Sequence, residues 1–252
     1  MRSTFDRGLG TSRAWVSFCA SVCMMVAGPS VSYGQEVTVT GRTELSSSAV
    51  TQPVDSSEVL VWLTPLGDSR EIRSASIQQP PRLVQRQKSF SPHLLVVRVG
   101  SPVEFPNQDP FFHNVFSLFE GKRFDLGLYE AGSSRNVVFD RAGISYIFCN
   151  IHAEMSAVVV ALKTPYYGIS DRKGMIVIPS VPPGRYEMRV WHERVLPEAL
   201  NSFTRTILIS EGSHSFGALR LTEERNLAKS HMNKYGQDYD NPTPSLPVYP
   251  HP

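Results

Sequence analysis

The 252-residue sequence predicts an all-β protein. Two patterns carry that reading, and a third bears on its chemistry. Short runs alternate apolar and polar residues as half-buried strands do, and turn residues interrupt them about every ten positions. No segment has the 3.6-residue apolar period of a core helix. Many short strands parted by turns argue for a sandwich or barrel. The third pattern is Cys149-Asn150-Ile151-His152-Ala153-Glu154-Met155, which sets a thiol, an imidazole and a thioether within two short turns of backbone.

Residues 1–34 read as a secretory signal. Arg2, Arg7 and Arg13 form its charged start, Ala14 to Gly28 its apolar core and Ser32-Tyr33-Gly34 its small-residue cleavage pattern. The apolar core is too short for a membrane span, and no later run approaches ~20 apolar residues. The expectation is a soluble protein, periplasmic or secreted. Losing the signal removes three of the 25 basic and one of the 23 acidic residues, leaving 22 of each. A chain without net charge is a poor match for nucleic acid.

Glu36 to Gly41 and Val59 to Thr64 read as the first two strands, with a Ser/Thr/Pro-rich loop between them. Residues 66–87 lose periodicity, carry Pro80-Pro81 and read as a linker. Strands resume at Leu94 to Val99 and Val103 to Phe105, and an Asx/Pro-rich turn, Asn107 to Pro110, then leads into His113. The charged stretch Glu120 to Asp125 reads as a solvated hairpin tip. Asn136 to Phe139, Ser145 to Phe148 and Ala157 to Leu162 follow as strands, and Cys149 closes the second of these. Beyond Tyr166 come Met175 to Ile178, Tyr186 to Trp191 and Arg205 to Ile209, with Tyr186 and Trp191 as core or interface aromatics. Thr222 to Lys234 is polar enough for a short helix, and residues 223–252 end in a Pro-rich tail, disordered or laid extended on the surface.

Cys19 and Cys23 leave with the signal, so Cys149 is the only thiol of the exported chain. A solitary exported thiol cannot form an internal disulfide and is open to oxidation unless something occupies it. Copper alternates between a soft cuprous and a harder cupric form. A carrier therefore needs ligands acceptable to both, a mixture that one thiolate, two imidazoles and a weak axial thioether supply. Cys149, His152 and Met155 offer three of these, and His113 is the best source of the fourth. The competing reading is a β-sandwich with a buried cysteine and unrelated histidines. His192 and His214, far apart in sequence and without further ligands nearby, read as exposed histidines. No catalytic triad, phosphate loop or paired-carboxylate motif is visible, so the chain does not read as an enzyme.

With those residues in view, Ser89 to Leu162 resembles the cupredoxins, the blue copper proteins. The resemblance rests on Pro92, Leu94-Leu95-Val96, Gly100, Val103-Glu104-Phe105, Asn107, His113-Asn114-Val115, the turn from Phe139 to Gly143, Tyr146, and Cys149-x2-His152-x2-Met155. The two-residue gaps on either side of His152 look most like the amicyanin branch, although Asn150, Ile151 and Ala153 stand where that branch usually carries prolines. The resemblance implies a Greek-key sandwich binding one copper per chain. His113, Cys149 and His152 would be the strong ligands, Met155 the long axial one, and Asn114 would tie the two ligand loops together. It also implies an electron carrier whose partner is a redox protein, such as a cytochrome or a copper- or quinone-dependent dehydrogenase. An apolar patch of Pro110, Phe111, Phe112 and Ala153 would then be the docking face.

Residues 36–64 together with 166–210 resemble, more weakly, the transthyretin-like or carboxypeptidase-regulatory sandwich. The carriers are Val39-Thr40-Gly41, Val59 to Leu63, Ser170-Asp171-x2-Gly174 and Pro182-Pro183-Gly184-x-Tyr186-x3-Val190. The expected organisation is residues 35–65 as the first strands of that sandwich, 66–87 as linker, 88–163 as a copper domain inserted in or adjacent to it, and 164–222 as its remainder. Two other functions stay open: a copper-handling protein that does not cycle its metal, and a surface-binding module whose copper domain is vestigial.

Overall fold

The computed structural model describes residues 35–47, 55–67, 79–118, 121–224 and 232–239. The expected signal, most of the linker and the last prolines lie outside these residues. Two strands come first, β1 (Val37–Ser47) and β2 (Leu60–Pro65). Nine follow: β3 (Val84–Arg86), β4 (Ser89–Ser91), β5 (Leu94–Arg98), β6 (Pro102–Pro106), β7 (His113–Ser117), β8 (Phe124–Tyr129), β9 (Ser134–Val138), β10 (Gly143–Cys149) and β11 (Ser156–Leu162). The rest are β12 (Tyr167–Ile169), β13 (Met175–Val181), β14 (Gly184–Trp191), the short helix α1 (Pro197–Ser202), β15 (Arg205–Ile209) and β16 (Ser215–Glu223). Among the described residues the protein is all-β apart from α1, which the sequence pattern missed because Leu200 is the one residue the helix buries.

Strand pairing joins the two ends of the chain. β1 lies between β13, antiparallel, and β16, parallel. β2 lies between β12 and β14, and β14 also pairs with β15. β1 shows how the alternation works: Val39, Gly41, Thr43 and Leu45 face inward while Thr38, Arg42, Glu44 and Ser46 face water. Gly41 is required by packing, since a Cβ there would lie 2.0 Å from the Phe216 ring.

The middle of the chain forms a five-stranded sheet in the order β5-β11-β10-β7-β8, with β6-β9 and β3-β4 as smaller pairs. Alternate residues of β11 enter different cores. Val158, Val160 and Leu162 join Leu94 and Val96 against the β2-β14 sheet and its neighbours. Ala157, Val159 and Ala161 face the second core, with Val103, Phe105, Ile147, Cys149 and Met155. A strand covered on both faces reads as an unbroken apolar run, as Ala157 to Leu162 does.

Three expectations need correction here. Residues 81–87, the end of the expected linker, are part of the fold: Leu83 is fully buried in the second core and β3 pairs with β4. Thr222 and Glu223 end β16 instead of opening a helix. His192 is buried, 4% exposed, above Glu223; His214 is exposed, as expected. Tyr186 and Trp191 are core residues. Among the described residues, no helix is long and apolar enough to cross a membrane.

Candidate metal centre

The site is assembled at one end of the five-stranded sheet, where β7 begins and β10 ends. Cys149 is the last residue of β10 and lies opposite Val115 of β7. The β10 alternation turns Ser145, Ile147 and Cys149 inward, so the thiol enters the second core. His113 opens β7 after a turn built by Asn107, whose Oδ1 accepts from Asp109 N at 3.0 Å and whose Nδ2 donates to Phe111 O at 2.8 Å. This is the Asx chemistry the sequence offers at that turn. His152 lies in the loop from β10 to β11, held by Met155 N donating to His152 O at 3.1 Å and Cys149 N donating to Met155 O at 3.2 Å.

The side chains of His113, Cys149 and His152 converge. Cys149 Sγ lies 3.6 Å from His113 Nδ1 and 3.5 Å from His152 Nδ1, and the three donor atoms are all within 4.8 Å of one another. The two imidazole centroids are 4.9 Å apart, and the Phe111 ring packs against both at 5.2 and 5.5 Å. His113, Cys149 and Met155 are fully buried, while His152 is half-buried.

His113 is oriented from behind. Its Nε2 lies 2.9 Å from Asp109 Oδ2. Burial pushes the His113 pKa down by more than the Asp109 carboxylate pulls it up. The ring is therefore neutral, Nε2–H donates to Asp109 and the lone pair is on Nδ1, which faces the sulfur. Burial works against the Asp109 charge, but the Lys88 N–H, the His113 ring and the Gln87 N–H outweigh it and hold its pKa below the usual carboxylate range. Gln87 N donates to Oδ1 at 2.5 Å and Lys88 N to Oδ2 at 2.9 Å. Gln87 and Lys88 form the β3-β4 turn with φ of 55° and 53°, a conformation that costs about 1–2 kcal/mol per non-glycine residue and that Asp109 offsets.

The remaining protonation states suit a cation. Burial first, then His113 and Lys88, push His152 down to about 4, so this ring too is neutral at pH 7. Burial pushes the Cys149 thiol up, against backbone N–H groups of Ile151, Asn114 and His152 that favour the thiolate. A reactive nucleophilic cysteine has the opposite signature, a lowered pKa at a more open site. A dry pocket offering one sulfur and two imidazole lone pairs fits a soft or borderline metal, copper among them.

No protein-family model matches the chain, and neither does any curated protein. Among solved structures it is similar to a purple cupredoxin from Nitrosopumilus maritimus, at 22% identity over 32% of this chain and 99% of that one, with a TM-score of 0.30. It is also similar to amicyanin from Paracoccus versutus, at 18% identity over 34% of this chain and 83% of that one, TM-score 0.31. A copper-containing nitrite reductase from Thermus scotoductus is similar at 22% identity over 39% of this chain but 25% of the reductase, TM-score 0.33. At these values the likeness carries no argument, and fold and chemistry rest on the chain's own residues.

The structure thus brings His113, Cys149 and His152 together, and Met155 is buried in the same hydrophobic core as Cys149. Asn114 links the two ligand segments through its backbone: its carbonyl accepts from Asn150 N at 2.9 Å. Its side chain does something else, donating to Asp125 Oδ1 at 2.8 Å, while Asn114 Oδ1 has no partner among the described residues. Asp125 is exposed, as expected, but it is not at a hairpin tip. It sits on β8 and also accepts from Lys234 Nζ at 2.8 Å. In the two ligand segments, Phe112 is 50% and Ile151 46% exposed; Pro110 is exposed, and Phe111 and Ala153 are half-buried. Sequence reasoning missed Asp109, Asp125 and Ile151; for Asp109 the signal was its place four residues before His113 in an Asx turn.

Proposed function

We propose that this chain is an exported mononuclear copper protein that carries single electrons between redox partners. His113, Cys149 and His152 would hold the metal, with Met155 as a weak axial ligand. The observation that carries the reading is the convergence of two neutral imidazole nitrogens on one buried thiol. Copper held there supplies a reversible one-electron couple.

The rest is done by the protein. Asp109 fixes the His113 tautomer and orientation. The Asn114 carbonyl and the Cys149–Met155 hydrogen bond hold the ligand segments in one arrangement, which limits reorganisation when charge changes. Burial of Cys149 and Met155 excludes water and shields the thiol from oxidation. His152 is the half-buried member of the set, and the exposed side chains of Phe112, Ile151 and Pro110 in the two ligand segments make a small apolar face suited to brief docking. Nothing in the reading calls for substrate turnover, so the chain is taken as a carrier.

Titration of the purified protein with cupric ion tests this. The expected result is an intense thiolate-to-metal absorption band, saturating at one copper per chain, absent in Cys149→Ala, with a reversible one-electron wave by voltammetry. Copper bound without that band, or with no reversible wave, would overturn the electron-carrier reading in favour of copper handling.

A further inference from the structure

The C-terminal segment at residues 232–239 reaches back to the ligand segment at two points and to β8 at a third. Tyr239 OH donates to the backbone carbonyl of Cys149 at 2.6 Å. Lys234 N donates to Asn150 Oδ1 at 2.8 Å, and Lys234 Nζ to Asp125 Oδ2 at 2.8 Å. The segment arrives preformed: Asn233 Oδ1 accepts from Tyr235 N and Gln237 N, both at 3.0 Å, and Gly236 sits at φ 74° to close the turn. Asn and Gly are the residues such a turn demands. Its outer side carries Tyr235, 73% exposed.

We infer that this segment is a clasp that locks the Cys149–Met155 loop and so retains the metal, with Tyr239 and Lys234 as positioning residues. The inference rests on the metal-centre reading for its purpose but not for its geometry. The loop between β10 and β11 carries His152 and Met155, and its own restraints are the few backbone hydrogen bonds described above. The clasp takes the carbonyl of one ligand, the side chain of the residue after it, and the carboxylate that holds Asn114 beside another ligand. Through Asp125 and Asn114 it connects β8, β7 and the ligand loop. A metal leaves such a site by local opening of the ligand loop, and tying the loop at an extra point slows that opening.

The test uses full-length Tyr239→Phe and Lys234→Ala. In metal-free protein, amide hydrogen exchange of residues 149–155 should quicken about fivefold in Tyr239→Phe, the effect of losing one hydrogen bond. Lys234→Ala should give about twofold, since its ion pair is partly exposed. Amides of β11 report that the fold is unchanged. Copper transfer from the loaded protein to a chelator should quicken by the same factors. Unchanged exchange in Tyr239→Phe overturns the clasp, as does faster exchange without faster copper release. If the wild-type chain takes up no copper, the functional reading falls, while the exchange result still decides whether the segment holds the loop.

Discussion

Asp109→Asn keeps the shape of a side chain and removes its charge, which makes it a sharp probe of the group behind His113. The wild-type carboxylate takes three donors: Gln87 N on one oxygen, Lys88 N and His113 Nε2 on the other. An amide satisfies His113 and Lys88 only by turning its NH2 toward Gln87 N–H, where two donors then meet. Loss of that contact costs the metal-free protein about 1–3 kcal/mol, read as a lower denaturant midpoint. At the metal, a hydrogen bond to a charged partner of about 1.5–3 kcal/mol becomes a neutral one of about 0.5–1.5. The difference, about 1.4 kcal/mol, is a factor of about ten in cupric affinity, at the low end of the 10–100-fold typical of groups that orient metal ligands. Cuprous ion carries half the charge and should lose about half as much. The reduction potential should therefore rise by roughly 30 mV, given about 59 mV per tenfold for one electron. Chelator competition and voltammetry measure both quantities. An unchanged potential, with cupric affinity within twofold of wild type, would show that Asp109 supports the turn but does not act on the metal.

Met155→Leu conserves core volume and should cost less than about 1.5 kcal/mol while changing the absorption spectrum and potential of the copper-loaded protein. An unaltered spectrum and potential would remove Met155 from the ligand set. Gly41→Ala drives a methyl group into the Phe216 ring and should destabilise by about 1–3 kcal/mol; an unshifted urea midpoint would refute the packing argument. The His93–Glu193 pair, 2.7 Å apart, predicts a pH window. The Glu193 hydrogen bond raises the His93 pKa against burial, so its stabilisation is full below the ordinary 6.5 and is lost as pH rises through the raised value. Burial opposes the Glu193 charge, but His93 holds its pKa below the ordinary 4.5, so its share is present above 4.5 and lost as pH falls through the lowered value. The wild-type advantage over His93→Gln in thermal unfolding should peak between pH 4.5 and 6.5; a difference independent of pH would show that the ion pair contributes nothing.

The residues that carry local pattern are legible in the sequence itself. Alternation decides which side of β1 and β10 faces inward, and hence that Cys149 points into the core. The Asn107 turn announces that His113 is presented at the start of a strand. What escapes is set by partners distant in sequence. Asp109 matters because Gln87 and Lys88 aim their N–H groups at it, and Gln87 lies in a stretch whose composition reads as connector. Asp125 looks like one more surface charge until Lys234, 109 residues away, comes to rest on it. His192 is polar and follows an alternating strand, and its burial, with its Nδ1 accepting from Arg194 N and Glu223 packed nearby, is not written in its own pattern. The tail shows the same limit: its proline content says nothing of Tyr239.

β11 also bears on how this protein came to be one object. A module that is merely strung to its neighbour can be cut free and remain soluble. Here the strand that starts one residue after Met155 is a wall common to two rooms, and the room without metal is closed by Leu94, Val96, Val158, Val160 and Leu162. Excising the half that carries His113, Cys149 and His152 would leave that greasy wall facing water. A substitution that repacks the far room would therefore shift the strand on which the ligand loop is hung.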